Sequence, residues 1–274
     1  MAISLRPRHR RLLLLVGMLS LGLGGLTGCV TGRNTVTGHI TPAHFEFTKV
    51  VRKSGPRCED HSLRRALPSQ RMSELTQADL VRIAHQYYPM GFPPEEDNYN
   101  EPLLAFQRTP EHQRWRAAWE KFMQWERWDA FLEELETAFP GHDVWEVTQP
   151  WMSACGRCCV YLREPLPDGG RVVTRVAGAV SLLAPLYLVY VTKESLRPGQ
   201  TVPRQPPDYA PTGEVKPYAE KLARHIEQTF GYRPFPMDLA DVPLTDLRIG
   251  HLNQEVDRPT LLNALLGENL GNLP

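Results

Sequence analysis

Charge of one sign, long apolar runs and metal-ligand spacings are what this chain most lacks. Its 31 basic and 31 acidic side chains cancel across 274 residues, so no cationic surface is available to neutralise phosphates, and nucleic acid is excluded as a partner. The one sizeable apolar stretch, Leu12 to Leu26, falls short of the roughly 20 residues a membrane-spanning helix needs. Histidines are dispersed: there is no His-Glu-x-x-His, no Gly-x-Ser-x-Gly elbow and no glycine-rich phosphate loop. The reading therefore assigns no catalytic residues, no metal and no cofactor. An ordinary apolar content of 42% argues against wholesale disorder. The 25 prolines cluster in connections and point to a loop-rich fold.

What is present at the start is more informative. Arg6, Arg8, Arg10 and Arg11 form a cationic segment, the glycine-interrupted apolar stretch follows, and Leu26-Thr27-Gly28-Cys29 closes it. These four residues resemble the lipobox of bacterial lipoprotein signal peptides, in which a leucine, two small residues and a cysteine mark cleavage and acylation. The resemblance covers residues 1–29. It implies that 1–28 are removed, that Cys29 carries lipid (palmitate among its acyl chains), and that the protein contacts a membrane through that anchor. More than one acyl chain makes such an attachment durable, at about 0.8 kcal/mol per buried methylene. Val30 stands where this family places an aspartate for inner-membrane retention, which implies the outer membrane and a domain in the periplasm or beyond. With the four signal arginines gone, 27 basic side chains face 31 acidic ones, a net charge of −4.

Four further cysteines remain: Cys58, Cys155, Cys158 and Cys159. An even number in an oxidising compartment favours disulfides, and the crowding of three in Cys155-Gly-Arg-Cys158-Cys159 makes Cys58 the crossing partner. Such a long loop would stabilise by roughly 4–5 kcal/mol in the chain-entropy model. Cys155-Gly-Arg-Cys158 also resembles the thioredoxin-type motif, but the residues after it read as a strand rather than as the helix that family uses to lower the thiol pKa. Metal binding, redox catalysis and free thiols stay open beside structural disulfides. Adjacent Cys158 and Cys159 suit a tetrahedral zinc site poorly.

Residues 29–42 are Thr- and Gly-rich and read as a lipidated N-terminus and tether. Residues 43–274 read as a single globular α+β domain, with a subdivision left open at the proline-rich stretch 197–213. His44 to Val51 is expected as a short strand. Thr76 caps a helix running to about Tyr88, with Leu80, Ile83, Ala84 and Tyr87 inward and Pro89 as stop. Thr109-Pro110 opens a helical region to about Phe139 whose apolar face changes phase near Gln124-Glu126, so two helices are expected. Val144 to Thr148, Cys159 to Glu164, Arg171 to Val180 and Leu186 to Thr192 read as strands. The turn Pro-Leu-Pro-Asp-Gly-Gly supplies a hairpin, and the last strand is expected to be central. The fold class is α+β: a small antiparallel meander over about 143–194, packed against several helices. Glu214 to Phe230 is a further helix, Thr245 to Leu252 a further strand, and 260–266 a short helix.

Trp115, Trp119 and Trp128 share apolar faces and read as core, whereas Trp125 lies off both and is the binding candidate. The function expected is a non-enzymatic binding module in the cell envelope with a protein partner. The segments Val242–Gly250 and Thr260–Leu266 resemble the C-termini of some immunity proteins that neutralise contact-delivered bacterial toxins. The alternative is an envelope hydrolase or lipid-delivered toxin with its site in the C-terminal half. Convergence of two or more of His142, His225, His251, Asp208, Asp238 and Asp241 within about 4–6 Å would mark it, since charges at that range shift one another's pKa.

Overall fold

Thr76 begins the described chain's first helix by the means its sequence offers. Its hydroxyl accepts the Asp79 N–H while the Asp79 carboxylate takes the Thr76 N–H, a reciprocal capping box. In this computed structural model residues 75–93, 97–98, 100–197, 205–252 and 258–274 are described. Cys29, Cys58, the tether and the expected strand at His44 to Val51 lie outside them. Helix α1 (Gln77–Tyr87) buries Leu80 and Ala84 and stops before Pro89. Thr109 caps α2 (Pro110–Phe122) through the His112 N–H, with proline at the first helical position. Helix α3 (Glu126–Ala138) follows after a break at Met123–Trp125. The expected change of phase is real: Trp115, Trp119 and Phe122 are buried from α2, and Trp128, Phe131 and Leu135 from α3.

The sheet has the order β1 (Asp143–Glu146), β2 (Cys155–Pro165), β3 (Arg171–Ser181), β4 (Leu186–Leu196) and β5 (Arg233–Pro234), antiparallel except where β5 joins β4. The β2–β3 hairpin closes with Leu166 N–H donating to Gly170 O (2.8 Å), around Gly169 at φ +78°. The class is α+β, as expected. Two details differ. β2 starts at Cys155, so the whole Cys-Gly-Arg-Cys-Cys run lies in the strand. β4 lies between β3 and β5 rather than in the middle of the sheet; its outer side meets, among the described residues, the two-residue β5, a bridge from Val191 to Asp208 and the Gln205 N–H on Lys193 O, and both its faces are covered.

Side chains alternate across the sheet and sort it into two buried faces. On one, Gly156, Cys158 and Gly178 meet the helices. A side chain at Gly156 would collide with Phe122, and one at Gly178 would press on Ile226 of α4 (Lys216–Phe230). The other carries Cys155, Arg157, Cys159 and Tyr161 from β2, Arg175, Ala177 and Ala179 from β3, and Leu188, Tyr190 and Thr192 from β4. Its cover is the end of the described chain, from α5 (Leu261–Leu265) to Pro274. Ser181 Oγ donates to Leu265 O (2.7 Å), Ala154 N–H to Leu266 O (3.1 Å), and both Tyr161 OH (3.0 Å) and Arg175 Nε (2.9 Å) to Pro274 O. The strand expected at Thr245 to Leu252 is instead a series of turns with one bridge, Met90 to Leu247. Leu247 and Ile249 are buried within it, but the bridge at Leu247 is its one ladder contact among the described residues.

Candidate functional site

Among the described residues, the most exposed aromatic side chain belongs to a residue the sequence left unmarked. Gln149-Pro150-Trp151-Met152 is a tight turn closed by the Met152 N–H on Gln149 O (3.2 Å), with proline second and Trp151 third at φ +67°. That third position of a proline-led turn is where glycine or asparagine normally supplies a positive φ. Trp151 is the one non-glycine residue with positive φ among the described residues. A bulky side chain there holds the backbone in a strained state. The turn presents Trp151, 38% exposed, and Met152, 64% exposed.

Beneath it lies an aromatic base. The Trp151 ring sits 5.9 Å from Trp115 and 5.8 Å from Trp119. Trp115 stacks between His112 (5.4 Å) and His251 (5.9 Å, planes 8° apart). Trp119 is fully buried and its Nε1–H donates to Ser153 O (3.0 Å), which ties α2 to the turn. Burial pushes both histidines down to about 4, so each ring is neutral at ordinary pH. His251 contacts Asn263 O through Nε2 (3.3 Å), while its Nδ1 has no partner.

A second concavity, about 630 Å³, opens on the helix-side face where α4 begins. Thr174, Val191 and Lys193 form its floor, with His142, Asp208 and Tyr218 on its walls. His142 and Asp208 thus share one cleft, and the His142 ring stands edge-on to Tyr218 at 5.3 Å. His225 packs near Phe139 instead, His251 belongs to the aromatic base, and neither Asp238 nor Asp241 lines the cleft. Among the described residues no three of His, Cys, Asp and Glu gather as a metal ion would require.

No family model, curated protein or solved structure matches this chain. The site is therefore read from its own geometry. Trp125 is half-buried, its ring 4.9 Å from Phe230 and 6.0 Å from Phe122, so it wedges the α2–α3 junction against α4 rather than standing out. Cys155, Cys158 and Cys159 are wholly buried, and none is bonded to another. Strand geometry forbids such bonds: at about 3.3 Å per residue, Cys155 stands roughly 10 Å from Cys158 and 13 Å from Cys159, beyond the ~7 Å a disulfide spans. Cys158 and Cys159 point to opposite faces. Burial raises all three thiols, Cys158 to about 12, which leaves them un-ionised and unreactive. A bridge to Cys58 lies outside the described residues. No described helix is long and apolar enough to cross a membrane.

Proposed function

We propose that this chain is a lipid-anchored bacterial envelope protein, held at the outer membrane through Cys29, whose folded body is a non-enzymatic binding module for a protein partner. The observation that carries the binding reading is Trp151, a tryptophan held at φ +67° and presented beside an exposed methionine. Strain of this kind persists where surrounding structure enforces it, and such positions concentrate at ligand-contacting sites. Tryptophan on a rigid base is also a favoured anchor in protein interfaces. The anchor reading rests on Leu26-Thr27-Gly28-Cys29. An immunity role is the narrower form of the proposal. In the two segments behind that resemblance, Val242–Gly250 and Thr260–Leu266, the apolar residues Leu244, Leu247, Ile249, Leu261, Ala264, Leu265 and Leu266 are buried packing residues, and the contacts we propose for a toxin lie at the Trp151 turn.

The test has two arms. Cys29→Ser should abolish palmitate labelling, and persistent labelling would refute the anchor. A photo-crosslinking phenylalanine analogue at position 151 should give one discrete adduct in living cells that the same analogue at exposed Gln113 does not; equal adducts at both positions would refute the binding face. One observation bears on the hydrolase reading, that His142 and Asp208 line one cleft, and loss of a hydrolytic activity in His142→Ala would establish it.

A further inference from the structure

The cleft beside the start of α4 gathers opposite charges that do not meet. Its floor follows from the strand register. Leu162 pairs with Thr174 and Thr174 with Lys193, so these three form one rung of the helix-side face. In the next rung Val191 is bridged to Asp208 at the sheet's outer side. Residues opposite one another in an antiparallel pair share a face, which makes Asp208 and Lys193 diagonal neighbours, roughly 7–8 Å apart. A lysine side chain can cross that gap, yet among the described residues Lys193 makes no ion pair and no side-chain hydrogen bond. The Asp208 carboxylate is held by its own turn, where Oδ1 accepts the Ala210 N–H (2.9 Å). Thr174, 3% exposed, likewise makes no side-chain hydrogen bond among the described residues.

The rest of the lining limits what these groups can take. Three carboxylates, Glu164, Asp208 and Glu214, border the cleft together with the ammonium of Lys193. Arg163 borders it too, but its guanidinium pairs with Asp143 and lies over the Tyr161 ring (5.4 Å). An anion would reach Lys193 only past the three carboxylates, and a cation drawn in by them would meet Lys193 on the floor. A hydroxyl has neither difficulty, because it donates to Asp208 while accepting from Lys193 or Thr174. Neighbouring hydroxyls on one ring do so repeatedly. The Tyr218 ring supplies a wall for the C–H face of such a ring, braced edge-on by His142 (5.3 Å) and stacked on Phe139 (6.4 Å). At about 630 Å³ the cleft has the size of a small-ligand site, but its polar lining departs from the apolar walls such sites commonly have. That favours a ligand polar all round.

We infer that this cleft binds a neutral saccharide, one sugar ring laid against Tyr218 and its adjacent hydroxyls shared among Asp208, Lys193 and Thr174. The site is separate from the Trp151 turn, which rests on α2, and the inference does not depend on the role proposed for that turn.

The test titrates the full chain by calorimetry with maltotriose, cellotriose and the N-acetylglucosamine trimer, beside spermidine and citrate as charged probes. Saturable binding of at least one sugar is expected, with the same affinity at low and high salt, because the ligand carries no charge to be screened. Lys193→Met should weaken it about tenfold through loss of a charge-assisted hydrogen bond, and Thr174→Val by a smaller factor. Tyr218→Leu, which keeps bulk but removes the ring, should weaken it as well. Lys193→Met and Thr174→Val should leave the melting temperature of the free protein unchanged, since neither side chain bonds within the described chain. Absence of saturable sugar binding would overturn the proposal, as would sugar binding indifferent to both Lys193→Met and Thr174→Val. Tighter binding of spermidine or citrate than of any sugar, falling as salt is added, would overturn it too. Should Lys193→Met fail to fold, Lys193→Ala carries the same comparison.

Discussion

Replacing Trp151 with alanine and, separately, with glycine separates two opposed effects at one position. The ring is 38% exposed, so about 150 Å² of a tryptophan's area is covered, mostly by Trp115 and Trp119. At about 25 cal/mol/Å² its removal costs up to roughly 4 kcal/mol, an upper value because unfolded chains already hide some apolar surface. Both substitutions bear that cost. They differ in the backbone, which at φ +67° penalises any residue with a Cβ by roughly 1–2 kcal/mol relative to glycine. Glycine's greater freedom in the unfolded chain returns part of that advantage. Trp151→Gly should therefore be more stable than Trp151→Ala by up to about 1 kcal/mol, the reverse of the usual order of these residues in regular structure. Urea unfolding followed by far-ultraviolet circular dichroism measures both midpoints at a common slope. An alanine variant equal to or more stable than the glycine variant would refute the strained turn, and with it the argument that the ring is held outward at a cost.

His251, with its folded pKa depressed from 6.5 to about 4, is neutral in the fold and takes a proton more readily when unfolded. Its stabilising effect is fully present above pH 6.5 and is lost as pH falls towards 4, by about 3 kcal/mol; chemical unfolding across that window should show the loss, and His251→Phe should remove its share while leaving that of His112, which burial lowers to about 4 as well, and should lower stability at pH 7. Gly156→Ala would set a methyl 2.3 Å from Phe122 Cζ, so overpacking of about 1–3 kcal/mol is expected, relieved in part by Phe122→Leu; a neutral Gly156→Ala in thermal melts would mean α2 does not pack as described. Cys155, Cys158 and Cys159 should resist a water-soluble thiol reagent in the native protein and react only on unfolding, and peptide mapping should find no bond between any two of them; fast native labelling would show that β2 is not buried.

Local chemistry made several elements legible from the chain alone. Thr76 with Asp79, Thr109 with Pro110, and the Asp168-Gly169-Gly170 turn act through neighbours in sequence, so their helices and hairpin could be placed. The break between α2 and α3 was readable because Trp119 and Trp128 cannot share a face of one straight helix. The site was not legible. Trp151 owes its role to a backbone angle that nothing in Pro-Trp-Met announces, although two large apolar residues after a proline, outside any periodic run, were a usable signal. Trp125 was off the faces of α2 and α3 but met a third helix, α4, whose position only the fold reveals. The face that carries Arg157 is covered because the last residues of the described chain lie over it, with Tyr161 and Arg175 bonding Pro274 O across 113 and 99 positions. The Thr245 to Leu252 run failed as a strand because, although Leu247 and Ile249 alternate inward, among the described residues its one bridge goes to Met90 and no neighbouring strand continues it.

A chain made or exported from its N-terminus forward presents the hairpin of β2 and β3 well before residues 261–274 arrive to cover it. Until then Cys155 and Cys159 face water on one side. The finished protein shields these sulfurs, so oxidative damage to them should concentrate in incomplete chains rather than in the mature population.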